Sequence, residues 1–153
     1  MKRAVTGERR APNDPAGRDG APVPTILVAA AVVERGGRFL ITRRPDGTHL
    51  AGCWEFPGGK CETDEDPSSC LVREMREELD ADVLVGEEIL RTRQAYADRV
   101  VELRFLRCVL NGAPTPLLGQ EVRWAGPEEL RALPFPPADS ELIEMLEEGG
   151  GGK

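Results

Sequence analysis

Three glutamates stand close together in one short stretch: Glu74, Glu77 and Glu78. The pattern there predicts a helix from Pro67 to Leu79, with Asp66 as N-cap and Pro67 at the first helical position. At ~100° per residue, Leu71, Val72, Met75 and Leu79 form one apolar stripe, and the three glutamates fall within a sector of about 100° beside it. They therefore flank the core-facing stripe instead of occupying the far, solvated side. Glu74 and Glu78 are four apart and repel by roughly a few tenths of a kcal/mol. An acidic run on a helix is most often a solvated face, and Arg73, at helical spacing from Glu77, softens the repulsion. Two features oppose that plain explanation. The carboxylates cluster without interspersed lysines, and they follow a glycine loop, Pro57-Gly58-Gly59, that presents backbone carbonyls. A hard divalent ion such as Mg2+ takes carboxylate oxygens, keeps several waters and bridges substrate phosphates. Glu74, Glu77 and Glu78 with the Gly58 carbonyl meet that need. An ion held there would offset the charge of glutamates and phosphates together and lower the pKa of a bound water.

The elements that must position this helix alternate along the chain. Thr25 to Val33 is almost continuously apolar and predicts a buried strand. Gly36-Gly37 is a turn signal, and Arg38 to Thr42 completes a hairpin. A loop runs from Pro45 to Gly52, then Trp54 to Phe56 is short and apolar before Pro57-Gly58-Gly59 breaks it. Beyond the acidic helix, Val83 to Tyr96 and Val100 to Leu110 predict two longer strands, turning near Ala97-Asp98. Glu121 to Trp124 predicts a short strand, Pro127 to Leu133 a short helix, and Asp139 to Glu148 a last helix. The expected class is α/β, one mixed sheet with helices packed on its faces. Residues 1–22 are rich in Gly, Pro, Arg and Asp and are expected to form a disordered tail. Residues 23–148 form the expected domain, and the glycine run of 149–153 is expected to be a flexible C-terminal tail.

The 153 residues fit one domain. A net charge of −7 excludes a generally basic nucleic-acid surface, so no stable nucleic-acid complex is expected. No apolar run reaches the ~18 residues needed to span a bilayer, and the basic residues near the N-terminus have no apolar core behind them, so no secretory signal is expected there. Cys53, Cys61, Cys70 and Cys108 lack zinc-like CxxC spacing. They are expected to be reduced thiols in a cytoplasmic protein, without a membrane partner.

From Gly59 the chain reads GKCETDEDPSSCLVREMREELDA. It resembles the Nudix box, GX5EX7REUXEEXGU, where U is a bulky aliphatic residue. Gly59, Glu65, Arg73, Glu74, Glu77 and Glu78 match at the required spacings, and Met75 matches the first U. Asp80 stands where the box has a glycine that ends the helix with positive φ. Asp tolerates that conformation at a cost on the order of 1 kcal/mol. Ala81 is a small version of the last U. The resemblance implies the Nudix fold, a mixed β-sheet sandwiched between α-helices, and hydrolysis of a diphosphate bond. It implies Glu74, Glu77, Glu78 and the Gly58 carbonyl as ligands of Mg2+, with Mn2+ able to substitute. It also implies that Glu65 supports the loop and the ions, and that Arg73 orients a glutamate through charge-assisted hydrogen bonds. Many relatives add a glutamate from a later loop. Glu121 is the candidate here, with a salt-bridge role equally open.

The segments ITRRP, HLAGCWEFPGGK and LPFPPAD resemble the MutT-like group. That likeness implies a nucleoside triphosphate cleaved to monophosphate and pyrophosphate by attack at the β-phosphorus, with 8-oxo-dGTP the first substrate to try. Arg44 and Lys60 would contact phosphates, although Arg44 also fits an exposed strand-end charge. Phe56 would line the substrate site or the core, as would Trp54. The lone histidine, His49, is expected to order the loop and not to act in catalysis. Asp139 occupies the base-reading position. An ionised carboxylate accepts two hydrogen bonds and complements the N1–H and N2 amine of guanine or 8-oxoguanine. A protonated one complements cytosine, as in CTP or 5-methyl-dCTP. Asp139 also suits an N-cap of the last helix. ADP-ribose and dinucleoside polyphosphates are other substrates of the superfamily, and a non-catalytic nucleotide-binding module is the rival of a different class. A monomer and a homodimer are both open.

Overall fold

The computed structural model describes residues 22–151, apart from Arg44, Asp46 and residues 48–51. Nearly all of the expected N-terminal tail, with Arg44 and His49, therefore lies outside the described residues.

The strands are β1 (Thr25–Arg35), β2 (Arg38–Arg43), β3 (Trp54–Glu55), β4 (Gly58–Lys60), β5 (Asp82–Ala95), β6 (Val100–Asn111) and β7 (Glu121–Ala125). The helices are α1 (Pro67–Leu79), α2 (Pro127–Ala132) and α3 (Ser140–Gly151), with one 3-10 turn at Pro137–Asp139. The sheet order is β3-β2-β1-β6-β5, with β4 also on β1 and β7 also on β2.

β1 is the organising strand. It runs parallel to β6 from Thr25 opposite Val100 to Val33 opposite Cys108, and antiparallel to β4 and β2. Its apolar run is explained by burial on both faces. Ala29, Ala31 and Val33 face one core with Leu71, Met75 and Leu79 of α1. Ala30 and Val32 face a second core with Leu130 of α2 and Leu142, Ile143 and Leu146 of α3. The sheet thus lies between α1 on one side and α2 and α3 on the other, as the sequence predicts.

Most boundaries shift by one or two residues, and two features differ by more. Gly58-Gly59 does not end strand structure: with Lys60 it forms β4, paired with β1 through Ala29 opposite Gly59. A side chain at Gly58, whose φ is +155°, would sit 2.0 Å from the Ala29 carbonyl oxygen. Only glycine lets this strand approach so closely. The last helix begins after Asp139 and continues to Gly151, past the predicted end at Glu148. Glycine is about 1 kcal/mol less favourable than alanine in a helix, but extending a helix already nucleated avoids the nucleation cost that a separate segment would meet. Among the described residues, no helix is long and apolar enough to cross a membrane.

Candidate active site

The position of α1 follows from its sequence. Asp66 accepts a hydrogen bond from the Ser69 N–H at 2.7 Å, and Pro67 opens the helix. At the other end Asp80 adopts the left-handed conformation, φ 50° and ψ 45°, and its N–H reaches back to the Arg76 carbonyl. Cys70, Leu71, Met75 and Leu79 bury the apolar stripe against β1 and its neighbours. The three glutamates accordingly occupy a graded boundary: Glu74 is buried, Glu78 half-buried and Glu77 exposed.

Glu74 lies directly over Gly59. A Cβ on Gly59 would fall 2.4–2.6 Å from the Glu74 carboxylate atoms. Beside this contact Arg73 gathers the acidic side chains. Its Nε and Nη2 donate to the two oxygens of Glu65 at 2.7 and 2.8 Å, a bidentate fork. Its Nη1 donates to Glu74 at 3.1 Å and Glu77 at 3.2 Å, and Nη2 also donates to the Lys60 carbonyl at 3.2 Å. The Arg73 hydrogen bonds, with a further one from the Glu62 N–H, hold the Glu65 carboxyl down at about 2. Arg73 is itself raised, first by the Glu65 hydrogen bonds. Glu65 and Arg73 therefore stay ionised throughout the physiological range.

The Gly58 carbonyl is available to this site. The Ala31 N–H bonds the Pro57 carbonyl and the Cys61 N–H the Leu27 carbonyl, so Gly58, opposite Ala30, falls in a non-hydrogen-bonded pair of the ladder. Its carbonyl points away from β1, on the same strand edge as the Lys60 carbonyl that receives Arg73.

Glu78 closes the cluster. Burial pushes its carboxyl up to about 8, followed by a hydrogen bond to Glu74 and the negative charges of Glu74, Glu55 and Glu77. Its backbone carbonyl anchors the following loop by accepting from the Leu117 N–H and the Gln120 side chain. Sequence reasoning missed Glu55 and Gln120. Alternation in Trp54-Glu55-Phe56 is the signal for Glu55: Trp54 and Phe56 are buried with α3's core, so Glu55 turns to the face of α1. Glu55 pairs in β3 with Thr42, itself buried.

The oxygen-rich cluster fits a hard divalent ion. Burial first, then the neighbouring carboxylates of Glu74, Glu55 and Glu77, raise Glu78 towards neutrality, and a cation there would offset that repulsion.

Other expected residues separate into those near this cluster and those away from it. Lys60 is exposed and follows Gly59, so its side chain leaves β4 on the opposite face. Phe56 is a core residue, 4% exposed, stacked on Phe135 and edge-on to Phe105, with almost no surface left for a ligand. Glu121 is not brought to the cluster. It sits opposite Arg43 and forms an ion pair with it at 3.0 Å. Its neighbour Val122 packs into α1's core, so Glu121 points to the other face. Asp139 is buried, 6% exposed, in the 3-10 turn immediately before α3.

Fold and cluster together set an oxygen-rich site, suited to a divalent metal ion, on one face of a mixed sheet packed between helices. The NUDIX domain family matches residues 28–145. The chain is 38% identical to the CTP pyrophosphohydrolase of Escherichia coli over 122 residues, 79% of this chain and 90% of that protein. It is 34% identical to the 8-oxo-dGTP diphosphatase of Haemophilus influenzae over 125 residues, again 79% of this chain and 90% of that protein. The solution structure of the E. coli ORF135 protein superposes with a TM-score of 0.72 at 37% identity, covering 80% of this chain and 88% of that one. The chain belongs to the NUDIX family and is a Nudix hydrolase, whose members in general require a divalent metal ion.

Proposed function

We propose that this hydrolase cleaves a nucleoside triphosphate to the monophosphate and pyrophosphate in the cytoplasm, using Mg2+ held by Glu74, Glu77, Glu78 and the Gly58 carbonyl. The observation that carries the proposal is the carboxylate cluster fixed over Gly59 by the Arg73–Glu65 fork. Bound there, the ion supplies Lewis-acid neutralisation of phosphoryl oxygens and acidifies a water. The protein's own contribution is placement. Arg73 keeps Glu74 and Glu77 in one arrangement, so little reorganisation is needed as the phosphates arrive. Lys60, reaching round the end of short β4 on its flexible stem, and Arg44 supply positive charge for the phosphates. Asp139 orients the base. Water adds to the β-phosphorus, the bond from that phosphorus to the α–β bridging oxygen breaks, and the monophosphate leaves with that oxygen.

The first substrate proposed is 8-oxo-dGTP, read by an ionised Asp139 that accepts from N1–H and the N2 amine. The second is a cytosine nucleotide, favoured by the 38% identity to a CTP pyrophosphohydrolase. The test is steady-state hydrolysis of dGTP, 8-oxo-dGTP, CTP and 5-methyl-dCTP with Mg2+ and with EDTA, alongside Glu77→Gln. Pyrophosphate release from 8-oxo-dGTP, abolished by EDTA and by the substitution, is the expected result. Cytosine preference keeps the mechanism and changes the protonation of Asp139. No turnover of any of the four sinks the proposal.

A further inference from the structure

A second cluster of ligand atoms lies just behind the glutamates. The Sγ atoms of Cys61 and Cys70 and a carboxylate oxygen of Glu65 all lie within 4.8 Å of one another. Both cysteines fall at positions that the Nudix box leaves open, so the family's chemistry does not call for them.

Each is fixed by regular structure. Cys61 ends β4's pairing with β1, its N–H on the Leu27 carbonyl at 2.8 Å. Cys70 lies in the second turn of α1, its thiol against the Gly59 carbonyl at 3.6 Å. Cys70 is buried, whereas Cys61 is half-buried and leaves a route in from solvent.

We propose that Cys61, Cys70 and Glu65 form a site for a thiophilic divalent cation of the Zn2+ class, and that filling it inhibits hydrolysis. Tetrahedral bonds of ~2.3 Å place two sulfurs about 3.8 Å apart, so the observed spacing closes with a shift on the order of 1 Å. Two thiolates and one carboxylate supply three ligands, and water completes the usual four. The charges balance: the thiolates and Glu65 carboxylate offset the bound ion and the Arg73 guanidinium, which lies 4.0 Å from Cys70 Sγ. Mg2+ prefers oxygen, so the two sites select different ions.

Inhibition follows from Glu65. Both its oxygens now accept from Arg73, and the same guanidinium holds Glu74 and Glu77. An ion that draws Glu65 away loosens the group positioning those two glutamates.

The test uses the full chain with Co2+ as probe and Mg2+ in excess. Thiolate–Co2+ charge-transfer absorption is expected to saturate at one equivalent. It should be lost in Cys61→Ser and Cys70→Ser, and should need at least about tenfold more Co2+ in Glu65→Gln. Absence of the absorption in the unaltered protein, or its persistence in Cys61→Ser, overturns the site. Should Cys70→Ser fail to fold, Cys61→Ser decides alone. This absorption is read whether or not nucleotides are hydrolysed. In the hydrolysis assay, Zn2+ added at fixed Mg2+ should inhibit the unaltered protein at roughly a tenth of the concentration that Cys61→Ser requires. Equal inhibition of both overturns the coupling.

Discussion

The carboxylate of Glu74 fills the space that a side chain on Gly59 would need. The neighbouring Gly58 is required for a different reason, because its missing side chain makes room for the Ala29 carbonyl. These two glycines therefore predict different failures. Gly59→Ala pushes a flexible side-chain end aside, so the fold should survive while kcat falls on the order of 100-fold. Gly58→Ala drives Cβ into backbone, so the β1–β4 pairing and thermal stability should go first. Melting temperature and kcat on both variants check this. A stable, fully active Gly59→Ala would contradict the placement of Glu74.

Arg73 is more than a positive charge. Lysine at this position keeps the charge and loses the fork that grips both Glu65 oxygens. Arg73→Lys should lower kcat by about 10–100-fold with KM little changed, as expected for a group that orients ligands. Divalent-ion affinity should weaken in parallel. Normal kcat in Arg73→Lys would mean that charge alone suffices.

Removing the metal should expose the strain among the glutamates. The Glu78 carboxyl, raised from 4.5 to about 8, holds its proton in the folded chain but not in the unfolded one between those values. The unfolded state then binds fewer protons, so stability falls as pH rises across that window. Glu65, lowered to about 2, acts in the opposite sense but only below about pH 4.5, where its unfolded form begins to titrate. In EDTA the melting temperature should therefore be lower at pH 8 than at pH 6. Mg2+ should raise it more at pH 8, and its binding near pH 7 should release a proton, visible by calorimetry in buffers of different ionisation enthalpy. A metal-free protein more stable at pH 8 than at pH 6 would refute the assignment.

The bounds of α1 were legible because three local signals coincide: Asp66 as cap, Pro67 at the first position, and the Leu71–Met75–Leu79 stripe. The burial of β1 was legible from its apolar run. β4 was not, because a Gly-Gly-Lys strand carries no alternation of its own and owes its form to the ladder with β1. Nor was the direction of Glu121. A shift of one residue reverses the face of a strand side chain, and only the packing of Val122 and the Arg43 ion pair settle it.

Asp80 gives a stability prediction. It holds φ 50°, a left-handed conformation that the box fills with glycine. Asp80→Gly should stabilise the fold by up to about 1 kcal/mol, or roughly 2–4 °C in melting temperature for a domain of this size. Activity should not change, since the Asp80 side chain is exposed. A lower melting temperature would show that the flexibility glycine gives the unfolded chain outweighs the strain relieved.

Base choice should turn on Asp139. Its carboxylate is buried just before α3, at the end of the Leu133–Asp139 segment that includes Phe135. Asparagine has nearly the same shape, but accepts at one end and donates at the other. Against guanine, Asp139→Asn loses one of two accepted hydrogen bonds and faces a donor with its own amide N–H. That should cost kcat/KM on 8-oxo-dGTP on the order of 100-fold or more, because a buried polar group is left unpaired. Against cytosine, asparagine can donate to N3 and accept from N4, reproducing a protonated carboxyl. Activity on CTP should then be retained or rise. Measuring kcat/KM for both nucleotides on both proteins separates the cases. A selective loss on 8-oxo-dGTP assigns an ionised Asp139 to guanine, and a protein that prefers CTP before and after the change assigns a protonated one to cytosine. Equal losses on both would mean that Asp139 serves the start of α3 and does not read the base.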